Sequence, residues 1–300
     1  MTEEKKNIAA SVRQRLYNIS KASGEEFNLV LGRYANERWL YRLSVSTYRD
    51  RFYLKGASRL NLWFDEPHRP TRDVDLLGSG SSDVADLRDK ITEICAIEFP
   101  DGLTFDPGSV RIEEIRAQAA YPGLRAKFTA LLNRARIGVQ VDVGFGDAVT
   151  PAAETIVVPT LLDLPAPELL AYPKETVVAE KFEAIVKLGI ANSRMKDFWD
   201  LRLLIDSFEF EGPLLQGAIL TTFDRRGTPF PQSLPLGLTD EFAQDDSKRA
   251  QWKAFVRTAG IDDTRNLQET AERLREFFSP IIDAGADTFE RAWNLEEWRS

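Results

Sequence analysis

The sequence predicts an α+β protein whose C-terminal part is helical. Apolar residues recur at helical spacing in the first fifty residues, short strands follow in the middle of the chain, and helical patterns return after a proline-rich segment. Three hundred residues are enough for two modest domains. We therefore predict one domain over residues 1–160, with the N-terminal helices and an α/β core, and a mainly helical domain over residues 161–300.

Each element of the first half has a local signal. Helical spacing is interrupted at Ser23-Gly24, apolar and polar residues alternate in the strands, and Asp83 is a suitable N-cap. The predicted elements are helices over 7–22 and 25–42, a strand over 52–54, a short helix over 58–64, a strand carrying Asp73 and Asp75, a helix from Asp83 to about 94, and strands over 110–115, 126–132 and 137–145.

The second half begins with a proline-rich segment over 151–173, which we interpret as an extended crossing between two parts of the protein. Helical periodicity dominates beyond it. The predicted elements are helices over 175–188, 196–208, 240–259 and 264–278, with a loop rich in proline and glycine over 227–238.

The composition argues against several kinds of site. Cys95 and His68 are the only residues of their types, so we expect neither a disulfide framework, nor a Cys-rich or two-histidine zinc site, nor a Ser-His-Asp triad. No stretch has the pattern of a secretory leader, and none approaches the length of a membrane span. We therefore expect a cytoplasmic protein with no membrane partner, whose catalysis would depend on carboxylates, lysines and a metal ion.

Basic residues are unevenly distributed along the chain. The formal net charge of −8 argues against indiscriminate nucleic-acid binding, yet the stretch from Arg33 to Arg59 holds seven basic residues against two acidic ones. Arg72 follows closely. Two interpretations stay open: a solvated helix face with extended side chains, or a surface that binds the phosphates of an RNA acceptor.

A turn of small residues and an acidic pair form the most informative motif. Gly56-Ala57-Ser58 closes an apolar strand and would let backbone N–H groups approach a phosphate. Asp73 and Asp75 stand one residue apart on a strand, so their side chains point to the same face. Asp142 projects from the polar face of a later strand, either beside this pair or into solvent. Together these residues predict a site for a nucleotide and a divalent cation.

Two helices of the second half carry charges on their apolar stripes. Lys181 lies four residues from apolar positions on either side, so it falls on the buried side of its helix. A buried lysine needs an anion, which could be a triphosphate or a structural acid. On the next helix Asp197 and Asp200 lie along the inward stripe. The alternative is that Asp197 interacts with the helix N-terminus and that Lys196 pairs with Asp200.

These motifs resemble, in order and content, those of the AbiEii/AbiGii toxin family of nucleotidyltransferases. The resemblance spans about residues 50–210 and rests on four segments: Leu54-Lys55-Gly56-Ala57-Ser58-Arg59-Leu60, Arg69-Pro70-Thr71-Arg72-Asp73-Val74-Asp75-Leu76, Ala179-Glu180-Lys181-Phe182-Glu183-Ala184 and Ser193-Arg194-Met195-Lys196-Asp197-Phe198-Trp199-Asp200-Leu201. It implies a nucleotidyltransferase fold of the DNA polymerase β type, with a mixed-sheet core and flanking helices. It also implies transfer from a nucleoside triphosphate with Mg²⁺ or Mn²⁺ to RNA, notably the 3′ end of tRNA, by a toxin that has a cognate antitoxin.

The resemblance further implies roles for single residues. Asp73, Asp75 and Asp142 would bind the metal and, with Lys181 and Asp200, would form the catalytic set. The residues expected to bind the nucleotide are Gly56, Ala57, Ser58, Arg59, Arg72, Lys196 and Asp197. Ala57 stands where the family commonly has a second glycine, so the phosphate turn departs from the family's pattern there.

Other functions stay open from the residues alone. A metal-dependent glycosyltransferase also uses an Asp-x-Asp pair, although it would not need the lysine and acid helices that follow. A kinase-like enzyme would transfer the γ-phosphate instead of the nucleotide. A relative that has lost catalysis would act as a binding protein, which Ala57 in the phosphate turn makes conceivable.

Overall fold

The computed structural model describes residues 3–63, 73–115, 123–261 and 265–299. Within these residues the chain forms two compact units. The first comprises the described residues up to 146 together with 154–171, and the second comprises 147–153 and the described residues from 172 onward. We propose that the units are the two predicted domains, with the first one extended by a chain segment that continues beyond residue 160.

The helices of the first unit follow from local signals that the sequence shows. They are α1 (Glu3–Ser23), α2 (Phe27–Val45), α3 (Gly56–Trp63) and α4 (Val84–Ala96), with a 3₁₀ turn over Arg49–Arg51. Gly24 separates α1 from α2 with a φ of +73°, a left-handed conformation that glycine adopts without strain. The Asp83 carboxylate accepts hydrogen bonds from the N–H groups of Ala85 and Asp86, which confirms it as the N-cap of α4.

A seven-stranded sheet forms the centre of the first unit. Its strands are β1 (Phe52–Lys55), β2 (Val74–Gly78), β3 (Leu103–Ile115), β4 (Gly123–Leu132), β5 (Ala135–Phe145), β6 (Glu154–Val157) and β7 (Glu168–Ala171). They lie in the order β3-β4-β5-β2-β1-β7-β6. The pairs β2–β5 and β1–β7 are parallel and the other neighbours are antiparallel. The predicted α+β class with a mixed sheet is therefore confirmed.

The sheet has an apolar face and a charged face. Leu54, Leu76, Val143 and Leu124 are successive register partners across β1, β2, β5 and β4, and all four are buried. They belong to a core that includes buried residues of α1, α2 and α4. Residues one position along each strand project from the opposite face, and the acidic candidates lie there.

The second unit is mainly helical, as predicted. Its elements are the helices α5 (Lys174–Leu188), α6 (Met195–Ser207), α7 (Gly212–Arg225), α8 (Asp240–Gln244), α9 (Asp246–Ala259) and α10 (Leu267–Ala284), 3₁₀ turns over Gly189–Ala191 and Leu236–Leu238, and the short strands β8 (Phe210–Glu211), β9 (Ala292–Trp293) and β10 (Trp298–Arg299). Aromatic side chains fill its core. Phe182 of α5 stacks on Phe278 of α10 with ring centroids 4.0 Å apart, and Phe277 meets Trp293 edge-on at 4.8 Å.

The structure differs from the predicted elements in three places. Helix α7 is not among the predicted elements; it begins at Gly212-Pro213, and proline is compatible with the first turn of a helix. The helix predicted over 240–259 is two helices, since Asp245 ends α8 and its side chain caps α9. The segment 151–173 is not simply a crossing between two parts of the protein, because it contributes strands β6 and β7 to the sheet.

The strand predicted over 110–115 also begins earlier than expected. Strand β3 starts at Leu103 and passes through Pro107-Gly108 with a shift of register between Asp106 and Arg111. A bulge of this kind tolerates a proline that a regular ladder would not.

In the part of the chain that the structure describes, no helix is both long and apolar enough to cross a bilayer.

Candidate active site

A row of charged residues crosses five strands of the sheet. Lys55 of β1 is the register partner of Asp75 on β2, and Asp75 is the partner of Asp142 on β5. Asp142 is in turn the partner of Arg125 on β4, and Arg125 is the partner of Glu113 on β3. Register partners project from the same face, and neighbouring strands lie only about 4.8 Å apart. Two of the three predicted metal ligands, Asp75 and Asp142, therefore lie side by side.

Asp73 and Gly56 lie at the ends of β2 and β1, two of the strands that this row crosses. Asp73 immediately precedes β2 and is half-buried, two residues before Asp75. Gly56 follows β1 with a φ of +64°, and a Cβ atom built on it would lie 2.2 Å from Oδ2 of Asp75. Both observations require glycine at this position, because any side chain would collide with the carboxylate and strain the backbone. The start of α3 thus lies directly against the acidic pair.

The carboxylate of Asp142 is held by Arg125. The guanidinium donates from Nε to Oδ1 at 2.8 Å and from its second terminal nitrogen to Oδ2 at 2.7 Å, a bidentate pair. The hydrogen bond to Asp142, with further attraction from Asp73 and Glu113, raises the pKa of Arg125. The pair is half-exposed, with 33% of the Arg125 side chain and 19% of the Asp142 side chain accessible. Arg125 lies just outside the strand predicted over 126–132, so no local pattern in the sequence marks it as part of the site.

The acids fit a divalent cation in chemistry. Carboxylate oxygens are hard ligands of the kind that Mg²⁺ and Mn²⁺ prefer, and Asp73, Asp75 and Asp142 come from two adjacent parallel strands. In the described ranges, however, no three Asp, Glu, His or Cys side chains are grouped closely enough to hold a metal ion as they stand. Asp142 directs both of its oxygens to Arg125, so its carboxylate would have to turn before joining a ligand set.

The candidates for nucleotide binding near Gly56 are only partly described. Arg59 is buried, and its guanidinium lies 2.6 Å from a carboxylate oxygen of Glu154 and 4.1 Å from the centre of the Trp63 ring. Burial lowers the pKa of Arg59 and the attraction of Glu154 counteracts it. Arg72 and the side chains of Ala57 and Ser58 lie outside the described residues.

In the second unit, Lys181 is buried between two acids. Its Nζ donates to Oδ1 of Asp197 at 2.9 Å and to Oδ2 of Asp200 at 2.8 Å. Burial acts to lower the pKa of Lys181, but the two carboxylates outweigh it and raise that pKa. Burial acts to raise the pKa of Asp197, and Lys181 together with Arg194 holds it below its usual range. The predicted burial of Lys181 is confirmed, and of the anions considered for it the structure contains two acids.

Lys196 differs from its neighbours on the same helix. It is exposed, whereas Asp197 and Asp200 are almost completely buried. The two acids therefore face the interior of the second unit, as their spacing predicts, while Lys196 lies on the outer surface of α6.

A second charge cluster includes two acids of α5, the helix that carries Lys181. Arg226 contacts the carboxylates of Asp147, Glu180 and Glu183 at 2.9 to 3.0 Å, and the hydroxyl of Thr228 donates to Glu183. Burial acts to lower the pKa of Arg226, and the three acids raise it. Sequence analysis missed this cluster because its members are far apart in the chain.

Part of the basic stretch from Arg33 to Arg59 is buried and therefore does not form an acceptor-binding surface. Arg38 and Arg42 are completely buried, where Arg42 makes a bidentate pair with Asp101 and Arg38 donates to the carbonyl oxygen of Pro165. Their side chains do not belong to a solvated helix face, because α2 has buried residues on several of its sides. These arginines stabilise the core of the first unit, and the prediction of a binding surface is wrong for them.

The chain is similar to a described protein family and to solved structures. The family model described as "Nucleotidyl transferase AbiEii toxin, Type IV TA system" matches residues 38–289. The crystal structure of JHP933 from Helicobacter pylori is 15% identical with a TM-score of 0.45, over 82% of this chain and 88% of that one. A proposed nucleotidyltransferase from H. pylori is 15% identical with a TM-score of 0.46, over 82% and 91%. No curated protein matches the chain.

Proposed function

Because the chain belongs to the AbiEii nucleotidyl transferase toxin family of type IV toxin–antitoxin systems, we propose that it transfers a nucleoside monophosphate from a nucleoside triphosphate to a hydroxyl of RNA, at the 3′ end of tRNA. The observation that carries this proposal is the register pairing of Asp75 with Asp142, next to Asp73 and to the Gly56 turn. Acids on adjacent strands beside a close backbone approach suit a triphosphate and its counter-ion.

The transfer forms one bond and breaks another. The acceptor hydroxyl oxygen would bond to the α-phosphorus, the bond from that phosphorus to the bridging oxygen would break, and pyrophosphate would leave with the electron pair. The hydroxyl proton passes to solvent. In this step the protein orients its reactants and stabilises charge, since phosphoryl and nucleotidyl transfers depend mainly on positioning and electrostatics.

Asp73, Asp75 and Asp142 are the residues that would hold Mg²⁺ or Mn²⁺. A divalent cation bound there would lower the pKa of the acceptor hydroxyl and offset the charge of the phosphates. The Gly56 turn would present backbone N–H groups of the first turn of α3 to phosphate oxygens, because the N-terminus of a helix attracts anions.

Asp197 and Asp200 would position Lys181. An ammonium group has three N–H donors, and these acids accept from it at 2.8 to 2.9 Å. A lysine held in this way has a fixed direction and stays charged, since its pKa is raised. We propose that Lys181 belongs to the catalytic set, that Lys196 contributes to nucleotide binding from the outer surface of α6, and that the partner implied by the family is a cognate antitoxin.

Labelled nucleotides test the proposal. The full chain is incubated with Mg²⁺, total RNA and each nucleoside triphosphate labelled at the α- or the γ-phosphate, and in a parallel reaction with a sugar nucleotide labelled in its sugar. We expect the α label in RNA. The γ label in protein would indicate a kinase-like reaction, no label would indicate a binding protein, and transfer from a sugar nucleotide would indicate a glycosyltransferase; each of these results contradicts the proposal.

The matched variant for this assay is Asp73→Asn. It should remove transfer of the α label, because a neutral amide is a poor ligand for a divalent cation. The circular dichroism of the variant should equal that of the wild type, since Asp73 is only half-buried at the start of a strand. A folded Asp73→Asn protein that still labels RNA would remove this residue from the catalytic set.

A further inference from the structure

Arg125 occupies the one predicted metal ligand that lies on β5. Its guanidinium binds both oxygens of Asp142, at 2.8 and 2.7 Å, and the amide of Gln140 donates to Oδ1 as well at 3.3 Å. A fork-to-fork pair of this kind occupies the lone pairs of the two carboxylate oxygens that point toward each other, and a cation bound by both oxygens would need the same lone pairs. A guanidinium and a divalent cation therefore cannot both be bound by the two oxygens of Asp142 at once.

The positive charge of Arg125 also opposes the binding of a divalent cation. Arg125 is attracted to Asp73 as well as to Asp142, so its positive charge lies within the field of the acidic pair. A divalent cation that approaches these acids would be repelled by the guanidinium until it moves away. The competition thus concerns the whole acidic group and not one oxygen alone.

Arg125 has a second acid on its other side. Glu113 of β3 is its register partner, opposite to Asp142 across β4. The structure has Glu113 in an exposed ion pair with Lys127 at 2.8 Å, a contact of the kind that contributes little stability. The guanidinium could pass from Asp142 to Glu113 by rotating its own side chain, because register partners are within reach of a long side chain on the same face.

We propose that Arg125 is a latch on Asp142: it holds the third carboxylate away from the acidic pair, and it moves to Glu113 when a divalent cation binds. The proposal rests on the proposed function, since it assumes that Asp73, Asp75 and Asp142 form the cation site. Arg125 is a positioning residue, because it acts through Asp142 and does not touch the cation.

The test is the affinity of the full chain for Mn²⁺, measured by electron paramagnetic resonance of the free ion. Arg125→Lys keeps the positive charge and loses the bidentate grip. We expect it to bind Mn²⁺ about tenfold more tightly than the wild type, a change typical of the coupling between neighbouring charged groups. Arg111→Lys is the matched control, since Arg111 lies exposed on the same face and donates to backbone carbonyl oxygens. It should leave the affinity unchanged.

A double-mutant cycle shows whether the effect passes through Asp142. In an Asp142→Asn background, Arg125→Lys should change the affinity by less than about twofold. A gain that persists in this background, or equal affinities of Arg125→Lys and wild type, would overturn the latch.

The Glu113 part of the proposal has its own test. Glu113→Gln should weaken Mn²⁺ binding by about threefold, because Arg125 then has no second acid to bind. Glu114→Gln makes the same change of charge on the other face of β3 and should have no effect. Equal affinities of the two variants would exclude Glu113 as the second position.

The two proposals fail in different ways. If Asp73→Asn binds Mn²⁺ as well as the wild type does, the cation site itself is wrong and the proposed function fails with it. If Asp73→Asn loses binding while Arg125→Lys behaves as the wild type, the cation site stands and only the latch is wrong.

Discussion

Removing the Lys181 ammonium should destabilise the second unit strongly. Lys181→Met keeps the length and apolar stem of the side chain but leaves Asp197 and Asp200, which are 0% and 2% exposed, without their shared cation. Breaking a buried ion pair from one side costs about 3–5 kcal/mol, because a charge then stays in an apolar environment. Arg194 remains 2.6 Å from Asp197 and compensates part of this cost. We expect a loss of about 3–4 kcal/mol in the free energy of unfolding.

Urea unfolding followed by tryptophan fluorescence and circular dichroism measures this loss. Lys196→Met is the matched control, since it makes the same change of side chain at an exposed position on the same helix as both acids. It should cost less than about 0.5 kcal/mol. Adding Asp197→Asn and Asp200→Asn to Lys181→Met should restore at least half of the lost stability, because the buried charges are then gone.

The pH dependence of the free energy of unfolding gives a second test of the Lys181 ion pairs. The raised pKa of Lys181 means that its contribution is complete below its unfolded pKa and is lost only as the pH rises through the higher folded value. The lowered pKa of Asp197 means that its contribution is present above 3.8, its ordinary value, and is lost as the pH falls further. The difference between wild type and Lys181→Met should therefore be constant around neutral pH and shrink in acid. A difference below about 1 kcal/mol at pH 7 would refute the idea that this ammonium compensates the two acids.

Further predictions concern other parts of the chain. Gly56→Ala should lower the free energy of unfolding by about 1–3 kcal/mol and remove most of the nucleotide transfer, since its Cβ would lie 2.2 Å from Oδ2 of Asp75 at a positive φ. Gly80→Ala is the control, because Gly80 also has a positive φ but nothing lies within 4 Å of its Cβ position. It should keep transfer near the wild-type rate in the labelling assay. Burial raises the pKa of Glu37 to about 7 despite its hydrogen bond from the Leu161 N–H. The folded state should therefore lose about 3 kcal/mol of stability as the pH rises from 4.5 to 7. Urea titrations should show that Glu37→Gln removes this loss. Binding of tRNA should weaken roughly tenfold or more between about 50 and 200 mM salt, and a salt-independent affinity in filter binding would argue against RNA as the acceptor.

The periodicity of apolar residues and the helix-capping residues were sufficient to predict most helices and strands of the fold. Strand β5 alternates between apolar and polar residues, so the face of Asp142 followed from the sequence, and the spacing of two between Asp73 and Asp75 placed those acids on one face. Helix α7 and the division between α8 and α9 could not be predicted, because the residues at their ends are compatible with two local structures. A Gly-Pro pair can end one element or begin the next, and Asp245 can lie within a helix or cap one.

The charge partners were the least predictable part of the site. Arg125 meets Asp142 because of the register between β4 and β5, which no local pattern reveals. Arg42 likewise meets Asp101 across a separation of 59 residues, and the sequence shows only that the arginine lies on a helix. A basic stretch predicts a binding surface only if its residues are exposed, and burial of a whole helix cannot be deduced from charge counts.

The two acid–base groups should therefore behave differently when a ligand arrives. The Lys181 group is almost completely buried, so changing its partners would leave a charge in an apolar environment at a cost of several kcal/mol. The Arg125–Asp142 pair is half-exposed, and water can solvate either partner during an exchange, so that its rearrangement costs far less. A rigid lysine and an exchangeable arginine follow from burial alone. The energy of ligand binding suffices to open the partly exposed Arg125–Asp142 pair but would be largely consumed by opening the buried Lys181 group, so the proposed latch lies at Arg125.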